Sequence, residues 1–157
     1  WFGWRHGARE SPFPRRRKDL HAMPKVTTRY VGDLLCETEL GSGRLVADVP
    51  AAVGGKGRGP TGLELLLAAL GSCVTASAAF YCARSGLDAE GLAVEVQFER
   101  ADNPIRLTNL RVRVHAPNVA AGPQAEALQR AVANCPVHAT LTSLGEVPVE
   151  VVAGAAG

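Results

Sequence analysis

Between Thr61 and Gly86 the chain reads TGLELLLAALGSCVTASAAFYCARSG, without a proline and with only Glu64 and Arg84 charged. Leu, Ala and other helix formers dominate it. It begins at a threonine beside Pro60 and stops at Gly86, a residue suited to the C′ position. At ~1.5 Å per residue the helix would be nearly 40 Å long. It is apolar around most of its circumference and carries small residues throughout, so it demands burial on nearly all sides. A lone protomer of 157 residues struggles to cover both sides of such a helix. Two copies, each laying a sheet over a pair of these helices, would cover it, and an obligate homodimer is expected.

The flanking segments alternate instead. Lys25–Leu34, Leu34–Leu40 and Arg44–Val49 read as strands, with Gly41-Ser42-Gly43 as a turn. Gly54, Gly55, Gly57 and Gly59 read as a flexible loop closed by Pro60. After the helix, Leu92–Arg100 and Ile105–Ala116 form an antiparallel hairpin turning at Ala101-Asp102-Asn103-Pro104, with a break near Asn109. Pro123 opens a second helix, Cys135-Pro136 interrupts it, a third short helix runs to Leu144, and Val147–Val152 reads as a final strand. The class is α+β, antiparallel sheet wrapped around a long central helix.

Apolar residues make up 46% of the chain and aromatics 5%, so Leu, Val and Ala must fill the core. Residues 1–22 hold six of the 17 Lys/Arg against Glu10 and Asp19, which leaves the body slightly acidic and without an electrostatic footprint for nucleic acid. That basic stretch lacks the apolar h-region of a secretory signal. It reads as a disordered or non-native extension ahead of a single domain over 23–157, beginning at the sole methionine, Met23. Glu64, Ser72, Thr75 and Ser77 break the best apolar run, so no membrane span is expected. A cytoplasmic protein keeps its thiols reduced, which directs the four cysteines away from structural disulfides.

Cys135 has the sharpest local setting. Pro136 suits the first helical position, which puts Cys135 near the N-cap, beside unpaired N–H groups and a positive dipole end that favour a thiolate. His138 is close enough to that terminus to contribute a donor. The competing reading is a buried, inert cysteine with a solvated His138. Cys73, inside the long helix, looks alone like a core thiol. Cys82, nine positions on, faces the opposite side of the helix; it and Cys36 read as structural. No Cys/His spacing suggests a metal site, no G-x-S-x-G elbow supports a hydrolase, and GGKGRGP is no phosphate loop. No cofactor is expected.

GPTGLELLLAALGSC (59–73) followed by NCPVHATL (134–141) resembles the two signature segments of the OsmC/Ohr family, and ADVPAAVGG (47–55) resembles the approach segment of its less characterised OsmC-like branch. The similarity covers roughly Lys25 to Val152. It implies an intertwined homodimer and a thiol-dependent peroxidase of oxidative-stress defence. Cys73 would attack an organic hydroperoxide and become a sulfenic acid, and Cys135 would resolve it as a disulfide. A lipoyl-protein or small thiol would restore the pair by exchange. Two departures stand out. Where the peroxidase branches carry a Glu ten residues before the first cysteine, this chain has Leu63, with Glu64 one place later. No Arg matches the family's activating cation, leaving Arg44, Lys56 and Arg58 as candidates by loop position. Without such a cation Cys73 should keep a raised pKa. The alternative is a non-catalytic protein binding an apolar or acyl ligand in the dimer cleft, its cysteines serving as redox sensors.

Overall fold

The computed structural model describes residues 25–151; the expectations for residues 1–22 and for Val152 lie outside them. Strands β1 (Thr27–Gly32), β2 (Leu35–Leu40) and β3 (Gly43–Ala47) form an antiparallel meander in that order. Its first turn is the two-residue loop Asp33-Leu34, both at positive φ (51° and 62°), the backbone twist that tight hairpins prefer. The Thr28 and Thr38 hydroxyls, cross-strand partners, lie 2.7 Å apart. β3 ends where Asp48 turns inward, two residues short of the expected boundary. The glycine loop is docked rather than slack. Gly55 N–H donates to the Pro50 carbonyl and Gly57 N–H to that of Val49. A Cβ on Gly55 would fall within 1.9 Å of the Val49 oxygen, an approach only glycine permits.

Helix α1 spans Gly62–Arg84. Thr61 is its N-cap, and a capping box joins it to Glu64: Glu64 Oε2 accepts from Thr61 N at 2.7 Å while Thr61 Oγ1 accepts from Glu64 N at 3.3 Å. Strands β4 (Ala93–Asp102) and β5 (Ile105–His115) pair as a long hairpin. A bulge opposite Phe98 accommodates Asn109 at φ 50°, which is the expected break. Helices α2 (Pro123–Ala133) and α3 (Pro136–Ser143) follow.

α1 packs on β4, β5, α2 and α3 through one row, Leu70, Val74, Ala78 and Cys82. Leu70, Val74 and Cys135 make the core, walled by the cross-strand pairs Val94–Val114 and Val96–Val112 and by Val132, Val137 and Leu141. Beside this row α1 is half-buried, and among the described residues nothing covers its far face, with Leu63, Leu66 and Phe80 at 38%, 37% and 64% exposure. The β1–β3 sheet packs on none of these elements to a comparable extent, and Val26, Tyr30 and Val31 stay open.

Two expectations are corrected. The segment 147–151 is no strand, and Val147, Val149 and Val151 are exposed. Alternation makes a strand only where a neighbouring strand pairs with it, and among the described residues this segment pairs with none. Secondly, α1 is long and apolar enough to span a bilayer, because Ser72, Thr75 and Ser77 are mild interruptions whose hydroxyls bond to α1 carbonyls.

Candidate functional site

α1 and α3 bring Cys73 and Cys135 together. Cys73, three residues after Leu70, leans from the buried row of α1 toward α3 and keeps part of its surface open. Cys135 is the N-cap of α3, with Pro136 at the first helical position, and has no exposed surface. Both are reduced thiols, packed against each other and within hydrogen-bonding reach. Cys36 and Cys82 lie outside this contact, Cys82 in the buried row of α1 and Cys36 opposite Tyr30 and Ala47 in the meander.

The surroundings of the two sulfurs differ. Burial alone would push the Cys135 thiol up. The Cys73 S–H and the backbone N–H groups of His138 and Val137 outweigh burial and hold it below the ordinary value of 9.0. Unpaired N–H groups at a helix start stabilise negative charge in this way. For Cys73 the direction is upward, chiefly because its proton is held in the bond to Cys135, with burial adding to the effect against a donor at Val137 N–H. Within the pair these surroundings favour the thiolate on Cys135 over Cys73.

The other expected site residues lie elsewhere. Glu64 is spent on the helix cap, where bonds from Thr61 lower its pKa. Arg44 pairs with Glu37 at 3.3 Å and Lys56 with Asp33 at 2.6 Å, all four well exposed or partly so. Arg58 Nε donates to Asp48 Oδ2 at 2.7 Å and its Nη2 to the Asp33 carbonyl at 3.0 Å. Within the described residues all three candidate cations are engaged around the meander and its loop, apart from Cys73. His138 does join the site: its N–H serves Cys135 and its ring Nδ1 sits 3.0 Å from the Ala133 carbonyl.

Sequence reasoning passed over Asp48 and Ser77. Asp48 has a fully buried side chain and collects bonds from Arg58 Nε, Arg58 N and Val49 N; the one available signal was an aspartate ahead of a proline-bounded loop. Ser77 follows Cys73 by one helical turn, so the two share a face. Among the described residues no group of His, Cys, Asp and Glu could hold a metal ion.

A cavity of about 390 Å³ opens between α1, β5, α2 and α3, and neither sulfur lines it. Leu70, Val74, Val132 and Leu141 belong both to its wall and to the packing around Cys135. Gln129, His138 and Thr142 are its only polar side chains.

Comparison with known proteins gives a consistent result. The family model described as OsmC-like protein matches residues 55–151. Among solved structures, an osmotic stress induced and detoxification response protein of Psychrobacter arcticus 273-4 superposes with a TM-score of 0.66 at 22% identity, covering 76% of this chain and 88% of its own. An OsmC-like protein of Mycoplasma pneumoniae gives 0.62 at 21%, covering 80% and 91%. An organic hydroperoxide resistance protein OsmC of Legionella pneumophila, described as a redox protein, gives 0.54 at 19%, covering 78% and 92%. No curated protein matches significantly in sequence. At these identities the structural likeness speaks for the fold.

Proposed function

The chain belongs to the OsmC-like protein family, and from that premise we propose that it is a thiol-dependent reductase of organic hydroperoxides in oxidative-stress defence, working through Cys73 and Cys135. The observation that carries this reading is the contact between two reduced sulfurs, distant in sequence, one buried at a helix N-terminus and the other partly open. A family relative described as an organic hydroperoxide resistance protein supports the same direction.

The more accessible Cys73 makes the attack, and its proton passes to the neighbouring Cys135. The Cys73 sulfur bonds to the terminal hydroperoxide oxygen, the O–O bond breaks, and the alkoxide departs to become an alcohol on protonation. Cys73 is left as a sulfenic acid. Cys135 then attacks that sulfur, the disulfide forms and water leaves. A dithiol, such as a lipoyl group or a small thiol, reduces the disulfide by exchange and is itself oxidised. The reducing cytosol suits this cycle. The aliphatic residues packed around the pair favour an alkyl hydroperoxide over hydrogen peroxide.

The working unit in this reading is a homodimer. Support comes from the apolar faces left open among the described residues: the side of α1 that carries Leu63, Leu66 and Phe80, and the β1–β3 sheet, which has no packing partner there. A second copy laid against them covers both, and makes α1 a core helix rather than a membrane span.

The raised Cys73 pKa and the apolar cavity give the ligand-binding alternative its footing. Steady-state turnover of cumene hydroperoxide with dihydrolipoamide, run beside hydrogen peroxide, separates the two. Preferential reduction of the organic peroxide, lost in Cys73→Ser, is the expected result. An inert protein would leave only ligand binding.

A further inference from the structure

A second hollow, of about 480 Å³, lies toward the C-terminal end of α1, in the groove between α1 and α2. Ser77, Phe80, Tyr81 and Arg84 line one side of it at helical spacing, with Ser85 beyond them and Ala131 of α2 opposite. Two of its hydroxyls are already committed. That of Ser77 donates to the Cys73 carbonyl at 3.0 Å and that of Tyr81 to the Gln124 carbonyl at 3.2 Å. Arg84 is not. Its guanidinium carbon sits 5.7 Å from the centroid of the Phe80 ring, a contact that holds the charge in place and consumes no acceptor. Among the described residues no carboxylate pairs with it. Nor does the end of α1 need it, since the Tyr81 and Cys82 carbonyls already accept from the N–H groups of Ser85 and Leu87.

We propose that this groove is a binding site for a small monocarboxylate with an apolar body, the Arg84 guanidinium pairing with the carboxylate while the Phe80 and Tyr81 rings and Ala131 hold the body. A guanidinium fork matches a carboxylate in both geometry and charge. One already ordered on an aromatic face loses little freedom when the ligand arrives. A single cation balances a single negative charge, which sets a carboxylate ahead of a phosphate dianion. The aromatic and methyl walls ask for an apolar remainder. The groove faces α2, and of Leu63, Leu66 and Phe80, the residues expected to meet a second copy, only Phe80 borders it. The site goes beyond the reductase reading and does not depend on it, because no bond to either sulfur is made or broken.

Titration calorimetry of the reduced, full-length protein with 3-phenylpropionate, 3-phenylpropanol and phenyl phosphate tests the assignment, with no peroxide present. The acid should bind once per chain and more tightly than either the alcohol or the phosphate ester. Arg84→Gln should weaken the acid about tenfold, the scale of a charge-assisted hydrogen bond, and leave the alcohol unchanged, which also shows that the groove is still formed. Arg84→Lys keeps the charge without the fork and should fall between the two. Ala131→Phe fills the groove and should weaken acid and alcohol alike. Equal affinity for the acid with and without Arg84, or an Arg84→Gln protein that loses the alcohol in step with the acid, would overturn the site. So would an alcohol or phosphate ester bound as tightly as the acid, or no binding of the acid at millimolar concentration.

Discussion

Cys73 and Cys135 differ in the number of donors that reach each sulfur. Cys135 receives a thiol and two backbone N–H groups, and these offset complete burial. Hydrogen bonds to the charged form lower a pKa and desolvation raises it; here the donors win. Following thiolate ultraviolet absorbance against pH should show a thiolate forming below the ordinary 9.0 in the reduced protein. In Cys73→Ala that midpoint should move up, since one donor is gone; an unmoved midpoint would show that the thiol–thiolate bond is not what holds the charge. The cysteine beside Pro136 was legible as a helix N-cap from the dipeptide alone. Its partner was not, because nothing in the spacing of α1 distinguishes Cys73 from a core thiol, and only the resemblance paired them. The family's cation was sought in Arg44, Lys56 and Arg58, yet their partners Glu37, Asp33 and Asp48 come from other strands and loops, invisible to local pattern.

Secondary elements were read well wherever periodicity was strong. α1, both hairpins and the two short helices sit within a few residues of their expected bounds, since apolar period and turn residues act locally. The loop after β3 was misread as slack because four glycines look the same whether they confer freedom or permit close approach. Its anchor is Asp48, whose carboxyl the Arg58 guanidinium and backbone N–H groups hold well below its ordinary 3.8. A lowered folded-state pKa means stabilisation that is complete above that ordinary value and fades as pH falls below it. Asp48→Asn should therefore lower Tm by several degrees at pH 7 and by less near pH 3, where the carboxyl of the unfolded chain has taken up its proton while that of the native protein is still charged. Thermal melts of both proteins at the two pH values check this, and a pH-independent difference would contradict it.

For the whole molecule the deciding fact is apolar surface that no described residue covers. One face of α1 serves its own protomer while Leu63, Leu66 and Phe80 look outward, and the β1–β3 sheet stands off from the core. Soluble monomers seldom leave such contiguous patches open. The α+β class was legible because its elements are local; the assembly was argued only from the absence of a polar face on α1. Sedimentation equilibrium should give twice the 16.4 kDa chain mass. Leu66→Glu combined with Phe80→Glu should yield monomers that no longer reduce hydroperoxide. An unsubstituted chain that stays monomeric up to high concentration would remove the homodimer.

That the two sulfurs form a working redox pair is the claim on which the rest depends. Reduced protein treated with one equivalent of cumene hydroperoxide should lose the mass of two hydrogens, and proteolysis under non-reducing conditions should yield a peptide linking Cys73 to Cys135. An oxidised chain bearing added oxygen on Cys73 with Cys135 still free, or a disulfide through Cys36 or Cys82, would contradict the account.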